Sequence, residues 1–314
     1  MTMSLAQAKA IFMLAQDVRT LRSLSLSSAV VLVYDAIISF PDELEYIWTA
    51  KWSLGKLLYL FSRYGTMSGF ILWVMFNMGF GLSLDNVCIS MDYFTIWGVY
   101  IFSIPAQVIL TLRTIAIWER DRKVFSILVV MAGIHNISSM VCIILLTISS
   151  LSNDKANTLL GPLLGCYAVS SKSSPTSTAI AYGMLILFDT TLFCLILTKA
   201  IQVGRSDKFK IFNILVRDGV IYFAVLLVFS VANLIFGGAF FGTHIILSFP
   251  LILAELSAKS IGSCHIILNL RKYSYKLEQF RSLNLSEFDG IQYAQRRTIM
   301  DEFSIQVRME DIRV

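Results

Sequence analysis

Seven long apolar runs, each bounded by charges or by clusters of Gly, Pro, Ser and Asn, constrain this chain more than any other feature of it. A helix of roughly 20 mostly apolar residues crosses about 30 Å of hydrocarbon, and the runs fall at about 24–40, 54–80, 93–118, 124–148, 178–197, 219–236 and 245–270. Inside lipid, backbone N–H and C=O groups must be satisfied within the segment itself, which makes each run a helix. Composition points the same way. Of 314 residues, 56% are hydrophobic and only 15% charged, where soluble domains carry about 25% charged residues. So few charges cannot cover a water-facing surface, which excludes a soluble enzyme, a nucleic-acid-binding domain and a disordered regulator. The expected fold class is all-α, an integral membrane bundle of seven transmembrane helices.

The residues flanking the runs set the expected orientation. With the N-terminus outside, the inner side receives 15 Lys and Arg, among them Lys51, Lys56, Arg113, Arg120, Arg122, Lys123, Lys199, Arg271 and Lys272. The outer side receives five, namely Lys9, Arg19, Arg22, Lys155 and Lys172. Excess positive charge marks the cytoplasmic side, so the N-terminus is expected outside and the C-terminus in the cytoplasm. Three domains follow: an N-terminal amphipathic segment over 1–23, the seven-helix domain over 24–270, and a cytoplasmic tail over 271–314. In the first of these, Leu5, Ala8, Phe12, Ala15, Val18 and Leu21 recur at helical spacing, which predicts a surface helix rather than a cleaved signal peptide. The tail mixes eight Lys or Arg with seven Asp or Glu. Lipid is the main partner expected, with the basic inner loops also able to dock a cytoplasmic protein.

Of five cysteines, Cys142, Cys194 and Cys264 lie within runs, where they pack as small apolar groups, while Cys88 and Cys166 fall in loops on the expected outer side. That compartment is oxidising, so a Cys88–Cys166 bridge would tie the loop over 149–177 across the bundle mouth. This loop is long for a bundle connection and is the first place to look for an outside ligand. The two Asn-x-Ser/Thr matches start at Asn136, in a run, and Asn284, in the tail, so neither is expected to carry a glycan.

Ionisable side chains at membrane depth are costly and mark polar interiors or pathways. Asp35 lies in the first run, Arg63 in the second, Asp189 in the middle of the fifth, and Glu255 with Lys259 in the seventh. Asp35 and Arg63 sit at similar depth on adjacent spans, close enough to pair. Glu255 precedes Lys259 by four residues, the favourable order for an ion pair within one helix. Near the first turn, Asp42, Glu43 and Glu45 are expected to face Lys51 and Lys56, Pro41 to end the first span, and Trp48 and Trp52 to anchor at headgroups. The run Glu255-Leu256-Ser257-Ala258-Lys259 looks like the acid-x-Ser-Ala-Lys stretch that bears the retinal lysine of microbial rhodopsins. Those proteins place carboxylate counter-ions in the third span, and this chain has none between Tyr93 and Trp118. No retinal at Lys259, and no other cofactor, is expected.

Tyr34-Asp35, Phe40-Pro41-Asp42-Glu43, Tyr46-Ile47-Trp48, Lys51-Trp52-Ser53-Leu54-Gly55-Lys56 and Arg63-Tyr64 together form a dense signature. Over about Ala29 to Tyr64 it resembles the N-terminal signature of a fungal, chiefly basidiomycete, family of multi-pass membrane proteins known as a domain of unknown function, number 6533. The likeness continues sparsely at Leu112-Arg113, Arg217-Asp218-Gly219, Tyr222-Phe223 and Asn269-Leu270-Arg271. What the resemblance implies is a seven-span protein without an established activity. It also implies an arginine ahead of the Asn-Leu-Arg run, where this chain has His265.

Nucleotide-binding, zinc-protease, paired CxxC and GxSxG motifs are lacking, and His135, His244 and His265 are too scattered to suggest a metal site. No enzyme is expected. A receptor-like or sensor-like membrane protein is the leading expectation, and a small-solute or ion transporter or channel, suggested by Asp189, Glu255 and Lys259, is the alternative. The plasma membrane is preferred over an internal one.

Overall fold

The computed structural model describes residues 5–77, 85–151, 175–204, 210–240 and 251–282, and every regular element in them is helical. In chain order these are α1 (Leu5–Glu43), α2 (Leu54–Leu60), α3 (Thr66–Asn77), α4 (Asp85–Ile117), α5 (Arg122–Leu151), α6 (Pro175–Gly204), α7 (Lys210–Phe240) and α8 (Ile252–Ser282). A π-helical turn, Leu44–Trp48, extends α1, and a second, Phe61–Gly65, joins α2 to α3 into one rod.

Five helical stretches are long and apolar enough to cross a membrane: Phe12–Trp48, Tyr93–Ile117, Arg122–Ile148, Ala179–Gln202 and Gly219–Gly238. They are consistent with a multi-pass membrane protein. The other two expected spans, 54–80 and 245–270, fall on the α2–α3 rod and on α8. A π turn containing Arg63 divides the rod into pieces of 7 and 12 residues. Glu255 and Lys259 sit in the opening turns of α8.

α1 has 39 residues, or about 58 Å at 1.5 Å per residue. The segment expected as a separate surface helix is continuous with the first span. Asp17 and Val18 are buried within it, and the hydroxyls of Thr20, Ser23, Ser25 and Ser28 each donate to the carbonyl four residues earlier, so these polar residues are satisfied without unwinding the helix. Pro41, expected to end this span, lies inside α1; the chain widens into a π turn a few residues later, which ends at Trp48 and is followed by a bend at Thr49 and Ala50. Ser53 then starts the next rod as an N-cap: its backbone is extended and its Oγ accepts from Lys56 N at 3.3 Å.

The charged run after α4 forms a tight turn. Glu119 and Arg120 have φ of 53° and 60°, a left-handed pair that lets Arg120 N donate to Ile115 O at 3.1 Å and closes the end of α4. Asp121 Oδ1 accepts from Lys123 N at 2.9 Å and opens α5. Trp118 Nε1 donates to Leu195 O at 3.1 Å, which binds this turn to α6.

Packing brings α6 against α7 along most of their length and sets α8 in the middle, touching α1, α2, α3, α4 and α7. One apolar core gathers Leu110, Leu128, Phe188, Leu192, Ile196, Phe223 and Ile266. A second, at the Trp48 end, joins Ile47, Tyr59, Ile109, Cys264 and Ile267. A third joins Leu32, Phe70, Trp73, Leu253 and Leu256. In the last of these, Gly69 lets the Phe102 ring approach the rod: a Cβ there would lie 2.5 Å from Phe102 Cε2. The outward faces of α1 and α5 expose Val30, Val31, Ile37, Val130, Ile137 and Ile148, as a lipid-facing surface requires.

Candidate functional site

Two clusters of buried charge lie within the bundle, and both include residues of α8. The first is at the Trp48 end. Arg63 is 2% exposed and sits in the π turn between α2 and α3, which points its guanidinium at α1. Its Nη1 donates to Asp35 Oδ2 at 2.6 Å and its Nη2 to Asp35 O at 2.9 Å and to Ser39 Oγ. Nε lies 2.7 Å from Glu43 Oε1, an ion-pair contact rather than an aligned hydrogen bond. The fork of donors on a guanidinium suits this many-sided contact, which a lysine ammonium could not reproduce.

Two further side chains complete this cluster. Tyr64 Oη donates to Glu43 Oε2 at 2.6 Å. His265 Nε2 lies 2.7 Å from Asp35 Oδ1, and because a carboxylate only accepts, the imidazole holds its hydrogen on Nε2. The His265 ring stacks on Tyr222 of α7, with centroids 6.0 Å apart. The structure therefore unites Asp35 and Arg63 and adds Ser39, Glu43, Tyr64 and His265.

The expected pairing of the acids near the first turn with Lys51 and Lys56 is corrected. Glu43 turns inward to Arg63, and Asp42 pairs with Lys272 of α8. Lys56 is 4% exposed and donates to Trp48 O at 3.0 Å and Ala50 O at 2.9 Å, closing the loop through its backbone. An ammonium so placed satisfies carbonyls that the end of the π turn leaves open. Arg271 Nη2 donates to Ser53 Oγ at 3.0 Å, and Arg271 Nη1 approaches Tyr46 O at 3.3 Å. Higher up, Ser260 Oγ donates to Ser62 O at 2.6 Å and Ser62 Oγ meets Ser263 Oγ at 3.0 Å.

The second cluster lies between α6, α7 and α8. Lys259 Nζ is 2.5 Å from Glu255 Oε1 and 3.9 Å from Asp189 Oδ2. Asn233 Nδ2 donates to Glu255 Oε2 at 2.7 Å, and the Ser230 hydroxyl donates to Asp189 Oδ2. None of these five side chains belongs to a residue more than 4% exposed. The Glu255–Lys259 pair was legible from its spacing; that Asp189 joins it, and that Ser230 and Asn233 serve it, was not. Beside the cluster, His135 of α5 stacks on Phe188 with centroids 5.3 Å apart, and its Nε2 meets Gln107 Nε2 at 3.0 Å.

Among the described residues no group of three or more His, Cys, Asp or Glu is placed to hold a metal ion. The suggested Cys88–Cys166 bridge and the loop that would carry it lie outside the residues whose side chains are described. Cys142, Cys194 and Cys264 are free thiols.

Residues 23–68 match the model of a family of unknown function, DUF6533. No curated protein and no solved structure matches the chain. The matched segment runs from the middle of α1 through α2 to the first residues of α3, the turn end of the hairpin, and it contains Asp35, Glu43, Lys56 and Arg63. Its contacts with Arg271, Lys272, His265, Ser260 and Ser263 make it the seat of α8.

Proposed function

We propose that this chain is a seven-span receptor-like or sensor-like membrane protein, N-terminus outside and C-terminus cytoplasmic, in which α8 carries a change from mid-bundle to the inner face. The α2–α3 rod is about 35 Å long and α8 about 46 Å at 1.5 Å per residue, enough for each to cross. The charges of Lys56, Arg63, Glu255, Lys259, Arg271 and Lys272 on these two elements are turned toward protein partners, which removes the main objection to placing them in lipid.

One observation carries the reading: a single helix, α8, holds Lys259 in the middle cluster, His265 in the hairpin cluster, and Arg271 and Lys272 on the inner loop. A small turn or shift of α8 alters all three sets of contacts together. Packed interiors switch between discrete arrangements rather than deforming smoothly, so such a helix passes on a displacement instead of absorbing it. The basic loops at the inner end of the bundle supply a surface for a cytoplasmic partner.

The transporter reading rests on a different observation, the two carboxylates and one lysine buried between α6, α7 and α8. Reconstitution separates the two. Under an imposed proton gradient and membrane potential, proteoliposomes holding the full chain should leak no faster than empty vesicles. Sustained flux that Asp189→Asn abolishes would replace the receptor reading by the transporter one.

A further inference from the structure

The middle cluster does not balance its charge by itself. Asp189 and Glu255 bring two carboxylates, Lys259 one ammonium, and all three are at most 4% exposed. A net negative charge so deeply buried is expensive, and a cluster of this kind relieves the cost by taking up one positive charge. The other titratable side chains that bear on the cluster are His135 of α5, which faces Lys259, and Tyr182 of α6, which faces Glu255 and also Cys142 of α5. None of them supplies a fixed positive charge.

The neighbours of the two acids identify what that charge is. A site built to hold permanent carboxylates is best lined with donors alone, as at a helix N-terminus or an arginine fork. Here each acid faces a group that can donate or accept. Ser230 meets Asp189 through a hydroxyl, which donates to a carboxylate and accepts from a carboxylic acid. Asn233 meets Glu255 through an amide whose Nδ2 donates at 2.7 Å, while its Oδ1 is buried without a hydrogen-bond partner. Turning that amide presents Oδ1 to a protonated Glu255, so the unpartnered oxygen is the acceptor the second state needs. The lysine ammonium already fills the space between the acids, 2.5 Å from one and 3.9 Å from the other. A metal cation would need several further oxygens around it, and the described residues offer no such set.

We propose that the Asp189–Glu255 pair, bridged by Lys259, is a binding site for one exchangeable proton. Uptake converts one carboxylate and one hydronium ion into a carboxylic acid and water, and the cluster passes from a net charge of −1 to neutral. The proton belongs to the pair as a unit, since two acids coupled through one lysine titrate together. Release restores the carboxylate and strengthens its hold on Lys259, so the occupancy of this site sets how firmly α8 is tied to α6. The inference stands on the cluster itself and holds equally for a receptor and for a transporter.

Infrared spectroscopy of the full chain in lipid nanodiscs reads the site directly, through the carbonyl stretch of a buried carboxylic acid as pH is raised. One such band should be present at low pH and vanish in a single step with the release of one proton per molecule. Asp189→Asn and Glu255→Gln should each abolish it, and Lys259→Met, which removes the only positive charge, should double it. If these variants do not fold, solid-state NMR of wild-type protein labelled with 13C at the Asp and Glu carboxyls should show one protonated carboxyl that converts in the same step. Absence of both signals in the folded wild-type protein, or a band unchanged by Asp189→Asn and by Glu255→Gln, would overturn the proposal.

Discussion

His265 Nε2 and Asp35 Oδ1 lie 2.7 Å apart although 230 positions separate them in the chain. The contact joins the last described helix to the hairpin that matches the family of unknown function, and it ends a line of polar contacts running Glu43, Arg63, Asp35, His265. The resemblance read from the sequence implies an arginine near this position. In this chain a histidine stands there and donates from Nε2 to Asp35.

Arg63 is the residue on which this line depends. Arg63→Ala leaves Asp35 and Glu43 facing each other without a cation, and removing one partner of a buried ion pair costs about 3–5 kcal/mol. Arg63→Lys should recover only part of the loss, because one ammonium cannot reach Asp35, Ser39 and Glu43 together. Thermal unfolding in nanodiscs should rank wild type above Arg63→Lys and Arg63→Ala lowest.

Lys259→Ala should destabilise by a similar amount, about 3–5 kcal/mol, since it leaves two carboxylates buried without a cation. Lys259→Met combined with Glu255→Gln and Asp189→Asn should recover much of the stability by removing all three charges together. Equal, mild effects from Lys259→Ala and from the triple change would mean that water reaches the cluster. Purified protein given all-trans retinal should develop no visible absorbance that Lys259→Ala removes.

Gly69→Leu drives a side chain into the ring of Phe102. Overpacking of this kind costs about 1–3 kcal/mol, and Phe102→Ala in the same chain should return part of it by opening the space. The melting temperatures of the two single variants and the double variant check this.

Much of the bundle was legible because lipid leaves few choices: long apolar runs become helices, and five of them are long and apolar enough to cross. Local pairs were legible too. Glu255 and Lys259 are one turn apart, and Asp35 and Arg63 lie at similar depth on the two spans that flank one short loop. The partners of these pairs were hidden, because Asp189, Ser230 and Asn233 reach Lys259 and Glu255 only through the packing of α6 and α7 on α8, and nothing local marks a buried serine as an acid's neighbour. Glu43 misled for a related reason: near Lys51 and Lys56 in sequence, it turns inward because the π turn presents Arg63 to it. Pro41 misled as well, since the helix that contains it continues to Glu43 and then widens into a π turn.

Orientation and the outer loop make a separate prediction. Tags placed after Thr2 and within 171–174 should be reachable on unpermeabilised cells, and one after Val314 should not. Mass spectrometry of non-reduced peptides should find Cys88 joined to Cys166; recovery of both as free thiols from freshly alkylated cells would remove the bridge.

The central claim is that the matched hairpin is the seat of α8, and cross-linking tests it most directly. Ser62 Oγ and Ser263 Oγ are 3.0 Å apart on the two elements, a separation that suits a disulfide once both positions carry sulfur. In a Cys264→Ala background, Ser62→Cys with Ser263→Cys should form an intramolecular disulfide in membranes under a permeant oxidant, seen as a linked peptide pair by mass spectrometry. Folded, membrane-inserted protein in which both thiols stay free after the same treatment would contradict the account.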